Sequence, residues 1–424
     1  MKSRLMGFLA GVGVIGSLCL APSSAEAILA SVKSTGMAAT AISYPLDSMC
    51  IAYNPAGIVW VDDRIDQELG WLHNTARLKV SGNLQPTLND SYTAMRTKDF
   101  YFAGGGAVKG YSFECFEVAV GLAVYNRNFQ KVTYNRVLPI FGTSHPGLEF
   151  VNETIAPAIA IRLFDVHSFG IAFNWQIERL KVNGLQNFDN AQASSHPGRV
   201  TNRGYSYAHG FMPTFGYRLN LCDRFAFGFT YQPRTHMSKF KKYEGFAIDG
   251  RIDVPEKWGF GVSFDPWRCI TVAFDAELIK WSGVRSLHRD LVLPEFVPPA
   301  TIIHKLGDKD GAGFGFKDQW FYRAGVEFRW TEDLTFRAGY RYAKALPRRS
   351  QTAVNILTQD CVESFLTLGA TWNLGCASEF SILYAYGFEK KIKGRNSIPP
   401  QFGGGEADLK EQKYALALAF GYKY

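Results

Sequence analysis

The sequence predicts an all-β protein, a transmembrane antiparallel β-barrel of about fourteen strands. Three observations carry that expectation. Apolar residues recur at every second position in segment after segment, the period of a strand whose faces meet different surroundings. The segments number fourteen, an even count as single-chain bacterial barrels have, and their connections alternate long and short. Beyond the N-terminal leader no run of roughly 18 apolar residues occurs, so any crossing of a membrane falls to strands.

The alternation is cleanest in four places. Phe169, Ile171, Phe173, Trp175 and Ile177 alternate with Gly170, Ala172, Asn174 and Gln176. Phe225, Phe227, Phe229 and Tyr231 alternate with Ala226, Gly228 and Thr230, and Ile270, Val272 and Phe274 with Thr271, Ala273 and Asp275. Phe380, Ile382, Tyr384 and Tyr386 follow the same rule, interrupted by Leu383. Strands are expected at 65–74, 99–108, 113–126, 151–163, 167–181, 205–219, 224–233, 251–265, 268–282, 317–331, 333–345, 361–374, 378–391 and 411–424. A soluble β-sandwich also alternates. Against it, the polar faces are rich in Gly, Ala, Ser and Thr, which suits a plugged lumen, and aromatics gather towards strand ends as membrane girdles do. The chain also stops inside a strand, with Tyr414, Leu416, Leu418, Phe420, Tyr422 and terminal Tyr424 on one face.

Taken from its start, the chain reads as three parts: residues 1–27 a signal peptide, 28–63 a hatch and 64–424 the barrel. Lys2 and Arg4 precede an apolar run from Leu5 to Leu20, and Ala25-Glu26-Ala27 is an A-x-A cleavage site. The next stretch does not alternate. Its small residues Gly36, Ala38, Ala39 and Ala41 lead to Asp47, and it closes on Asn54-Pro55-Ala56-Gly57. Pro55 lacks an amide donor and restricts Asn54, so a turn is expected there. Composition alone favours an ordinary N-terminal loop.

The run Gly-Met-Ala-Ala-Thr-Ala, Asp47 and the Asn54–Gly57 motif resembles the N-terminal hatch of the FadL/TodX family of outer-membrane transporters. Val254-Pro255-Glu256-Lys257-Trp258 with Trp281-Ser282, and Phe316-Lys317-Asp318 with Leu334 to Gly339, resemble the same family in the same order. The resemblance implies passive import of long-chain fatty acids or other hydrophobic molecules across the outer membrane of a Gram-negative-type bacterium. It implies an N-terminal hatch inside the lumen, capture among extracellular loops, a pocket beside that hatch, and lateral exit at a kink in the third strand. Here that kink is expected at Tyr125, Asn126, Arg127, Asn128 and Phe129, where the alternation through Phe116, Val118, Val120, Leu122 and Val124 breaks. The terminal aromatic strand resembles the signal read by barrel-assembly machinery. An aqueous porin or a surface adhesin on the same scaffold is the alternative. The apolar loop patch of Phe296, Val297, Pro298, Pro299, Ile302 and Ile303 fits lipid capture and partner binding alike.

Charge and motifs exclude more than they assign. Removing Lys2, Arg4 and Glu26 takes the net charge from +8 to +7, and the basic residues form no stripe of the kind nucleic acid needs. Contact with anionic outer-membrane lipid headgroups or attraction for acidic solutes fits better, and a plain solvated surface is the commonest explanation of such an excess. There is no zinc-protease, P-loop, Rossmann or nucleophile-elbow motif, and His167, His209 and His288 lack a motif-placed serine. No catalytic residue, metal or cofactor is expected, and the protein is read as a monomer.

Two side-chain expectations remain. Of the six mature cysteines, Cys50, Cys115, Cys222, Cys269 and Cys376 fall towards the periplasmic side and Cys361 does not. Disulfides from Cys50 to the rim, or from the barrel to other envelope proteins, are therefore open. The turn Thr331-Glu332-Asp333 sets Glu327 opposite Arg337 and Arg323 opposite Arg341, all lumenal. Two facing arginines need an anion between them. Asp47, Asp275 or Glu277 would supply it internally, or Arg323 and Arg341 form an acid-binding site for a passing fatty acid.

Overall fold

The structure, a computed structural model, describes residues 30–94, 99–291, 296–297, 301–302 and 304–424, the side chains of 296–297 and 301–302 excepted. The proposed leader and most of the 296–303 patch lie outside the described residues. Fourteen antiparallel strands form a closed barrel, each paired with its sequence neighbour. They are β1 Arg64–Ser81, β2 Asp99–Ser112, β3 Phe116–Thr133, β4 Gly147–Leu163, β5 His167–Asn183, β6 Ser206–Cys222 and β7 Phe225–Gln232, then β8 Glu256–Trp267, β9 Ile270–Lys280, β10 Gln319–Arg329, β11 Leu334–Ala343, β12 Ser364–Leu374, β13 Ser378–Ile392 and β14 Glu406–Lys423. β14 closes on β1 in one unbroken register from Arg64↔Lys423 to Ser81↔Glu406. A short strand, Ser91–Thr93, adds to the upper end of β1.

Pairing of β14 with β1 closes the sheet on itself, as backbone that lies in lipid requires, and leaves unpaired edge only where the upper parts of β2 and β3 separate. Outward positions carry the aromatics and aliphatics that alternation assigned there: Phe169, Phe173, Phe211, Phe260, Tyr322 and Tyr340 are all exposed on the barrel wall. The turns at one end have two to four residues, whereas connections at the other run to tens of residues.

Several strands outrun their expected bounds, and the reason is physical. Along β5 the inward residues change from Asn174, Gln176 and Glu178 to Leu180 and Val182, while the outward ones become Arg179 and Lys181. β1 does the same, with Asp66 and Glu68 below, Leu78 and Val80 above, and Arg77 and Lys79 outside. In β14, Ala407 and Leu409 point inward and Asp408 and Lys410 outward. The strands climb past the apolar belt into a region where polarity is reversed. There the barrel is a water-facing wall around an apolar chamber, which the long loops close over.

Residues 30–63 fold inside the barrel, nearly all buried. They form one helical turn, Val32–Gly36, and two 3-10 helices, Ser48–Ala52 and Pro55–Trp60. The expected turn at Asn54–Gly57 is thus corrected. Asn54 caps the second 3-10 helix and Pro55 occupies its first position, where the missing amide costs no bond. The barrel approaches this segment backbone to backbone. A Cβ on Gly339 would lie 2.3 Å from Ala38 N, one on Gly228 2.1 Å from Ile42 O, and one on Gly170 2.4 Å from Ala56 N. These glycines account for the small residues on the lumenal parity.

Candidate functional site

Around the hatch the wall presents carboxylates to backbone amides and cations. Asp47 caps the first 3-10 helix by accepting from Met49 N at 3.0 Å, and accepts from Ser31 Oγ at 2.6 Å. Asp66 of β1 accepts from Ser48 N and Oγ, at 2.9 and 2.6 Å, and binds Arg64. Glu68 accepts from Val32 N at 2.8 Å, and Asp275 of β9 from Ala41 N and Ile42 N at 2.8 and 3.1 Å. Glu379 of β13 joins Lys33 of the hatch to Arg64, all three nearly inaccessible to solvent. Asn54 Nδ2 donates to Ile42 O at 2.7 Å and to Tyr217 O of β6 at 3.0 Å, while its Oδ1 accepts from Ala56 N. Gly36 packs on Gly369 of β12, and Gly57 on Pro45 and Cys50. Gly36, Asn54, Pro55 and Ala56 thus meet the wall, whereas Asp47 and Gly57 make their contacts within the hatch.

Above the hatch lie two apolar spaces. The first, about 1120 Å³ and open on one side, is floored by Ala30, Ala52 and Tyr53 and bounded by Tyr125, Arg127, Asn128 and Gln130 of β3. Its upper walls are Leu148, Phe150, Ile279, Trp281, Phe316 and Leu346. Charged groups gather low in it, Arg127, Glu178, Lys257 and Glu277 among them. The second, about 920 Å³, is a groove among the loops lined by Phe141, Phe188, Phe246, Leu306, Leu357 and Phe402. Ile252 and Phe314 line both, so groove and cavity adjoin.

Beside the cavity the wall is split. β2 pairs with β1 up to His73↔Asp99, and β3 with β4 up to Thr133↔Gly147, but β2 and β3 pair only from Ser112↔Glu117 to Gly105↔Val124. The register of β3 shifts between Asn126 and Asn128, leaving Arg127 as the extra residue of a bulge. Above Gly105 the two edges meet through side chains, Asn126 Nδ2 donating to Ala103 O at 3.3 Å and the Phe100 and Phe129 rings lying 5.0 Å apart.

The lumenal arginines face each other in the expected register, Arg323↔Arg341 and Glu327↔Arg337. Arg323 is held by Glu277 at 3.1 Å, and Glu277 also binds Lys257 at 3.2 Å. Arg341 lies over the Phe321 and Phe365 rings, at 4.6 and 5.2 Å. Both arginines are nearly fully buried and neither lines the cavity. Arg323 thus takes Glu277 as its acid, while the Asp275 carboxylate accepts from hatch amides. The six cysteines among the described residues are free, and Cys50 is enclosed in the hatch against Gly57, which removes the expected bridge from it to the rim. The three histidines do not converge: His167 meets Tyr217 Oη at 2.9 Å, His288 meets Phe316 O at 3.0 Å, and His209 rests on Trp175.

Sequence reasoning missed the apolar lining of the cavity and groove. The reversal of lumenal polarity at Leu78, Leu180 and Leu409 was the available signal, since an inward face that turns apolar above a polar one must enclose something apolar.

A closed fourteen-strand barrel with a lipid-facing belt, an internal plug and an apolar vestibule defines a class: outer-membrane channels for hydrophobic compounds. Residues 21–424 match the family of outer membrane transport proteins described as OMPP1/FadL/TodX, and the chain belongs to that family. Similar solved structures share its fold. A Pseudomonas aeruginosa FadL homologue is 14% identical, with TM-score 0.67, over 95% of this chain and 98% of that one. The P. putida toluene transporter TodX is 14% identical, with TM-score 0.62, over 95% and 99%. The Ralstonia pickettii toluene transporter TbuX is 12% identical, with TM-score 0.60, over 95% and 99%. No curated protein matches the chain significantly in sequence.

Proposed function

We propose that the protein imports elongated hydrophobic molecules, long-chain fatty acids foremost, by passive passage from the loop groove to the cavity beside the hatch and then sideways into the bilayer at the β2–β3 split. The observation that carries this reading is that groove and cavity adjoin across the side chains of Ile252 and Phe314, which places two apolar spaces in succession for a chain. At the inner end the cations Arg127 and Lys257 border the cavity, engaged by Gln232 and Glu277 respectively, so a cargo carboxylate that enters there exchanges with these partners. Each methylene kept out of water is worth about 0.8 kcal/mol, so a route that passes from apolar groove to lipid is strongly favoured over an aqueous one. The hatch filling the lumen below argues against a water-filled porin.

Similar structures include toluene transporters, so a single aromatic ring is the competing cargo. The test is uptake of labelled oleate and of labelled toluene by cells that lack their own transporter, carrying either the parent or Phe314→Asp. Oleate uptake that the parent accelerates and Phe314→Asp abolishes is expected. Acceleration of toluene alone would assign the smaller cargo.

A further inference from the structure

We propose that the periplasmic rim of this barrel is a covalent docking surface, whose four exposed cysteines form disulfides with a cysteine-bearing periplasmic polypeptide lying beneath the barrel mouth. The inference is independent of the cargo. It begins from the distribution of thiols. Cys115, Cys222, Cys269 and Cys376 are exposed, whereas Cys50 and Cys361 are buried. Free cysteine is ordinarily among the most buried residues, so four exposed ones on one rim need a reason. Each sits at a different short turn, joining β2 to β3, β6 to β7, β8 to β9 and β12 to β13.

The four cannot satisfy one another. Neighbouring strands lie about 4.8 Å apart, and the nearest two thiols, Cys222 and Cys269, are separated by β7 and β8, hence by about 10 Å or more. A disulfide needs Cα atoms within about 7 Å. The periplasm is oxidising, so exposed thiols held apart there find partners on another chain.

The step balances by thiol–disulfide exchange. A periplasmic oxidoreductase bearing a disulfide accepts two electrons and becomes a dithiol, the rim thiol and the partner thiol each lose a proton, and one interchain S–S bond forms. The thiols are spread around the whole circumference. A second barrel alongside would meet one or two of them, whereas a polypeptide below the mouth reaches all four. The buried pair supplies the contrast. Burial, and then the Glu411 carboxylate, push the Cys361 thiol well above its ordinary value, which leaves it inert.

The test uses the native envelope, lysed in N-ethylmaleimide and run without reductant. The chain is expected above its monomer position and to return to it on reduction. Mass spectrometry of the unreduced species should find peptides containing Cys115, Cys222, Cys269 or Cys376 bonded to a cysteine peptide of a different polypeptide. The Cys115→Ser/Cys222→Ser/Cys269→Ser/Cys376→Ser variant should lose the adduct, and Cys361→Ser should keep it. A monomer with all four rim thiols blocked by maleimide overturns the proposal. So does an adduct made only of this chain, or one that survives in the quadruple variant.

Discussion

Glu379 is the residue on which the hatch and the wall most depend for charge balance. It faces Lys33 and Arg64 together, and Arg64 retains Asp66 if Glu379 is lost, whereas Lys33 retains no acid at bonding distance. Removing one member of a buried ion pair costs about 3–5 kcal/mol, because the survivor stays desolvated and unpaired. Glu379→Ala should therefore unfold at lower guanidinium concentration in detergent micelles, by about that amount. Lys33→Met/Glu379→Leu should recover most of the loss, because neither charge is then left alone. An unchanged midpoint for Glu379→Ala would mean that water reaches Lys33. None of this was legible in the sequence, since Lys33 and Glu379 lie at opposite ends of the chain. The Arg323–Arg341 register was legible, because a tight turn fixes which residues face each other, but the partner Glu277 sits on another hairpin.

At the scale of elements, the bulge in β3 adjoins the parting of the wall. Pairing with β2 ends at Val124, and three residues further on Arg127 is one residue too many for the β3–β4 ladder. Deleting Arg127 should restore a continuous register with β4, let the upper part of β3 approach β2, and slow uptake of the hydrophobic cargo. Arg127→Met, which keeps the bulge, should transport better than the deletion. Equal uptake by deletion and parent would place the exit elsewhere. The fourteen strands were readable because their middles lie in lipid, where outward apolar and inward polar residues alternate strictly. Their ends were not. β1 was expected to stop near residue 74 and β14 to begin at 411, because the reversal of faces at Leu78 and Leu409 breaks the rule that found them. The 3-10 helix at Pro55–Trp60 was missed although its local signal was present: Asn54 caps it by accepting from Ala56 N and Pro55 stands at its first position, the pattern of a helix start rather than of the turn expected there.

At the scale of the whole molecule, a barrel filled by its own N-terminal segment should conduct ions poorly. In planar bilayers the parent should show conductance far below that of an open barrel of fourteen strands, and deletion of residues 30–63 should raise it to steady open levels. High steady conductance from the parent would show that the hatch leaves the lumen. The contacts of the hatch also bear on how the molecule is made. Pro55–Trp60 packs on β4, β5 and β6, Ser48–Ala52 on β2 and β3, and Val32–Gly36 on β11 to β14. The hatch thus touches strands from both ends of the sheet, Ser48–Ala52 meeting β1 and Val32–Gly36 meeting β14. It works as a keystone: both strands of the closing seam are held against one piece of chain at the centre.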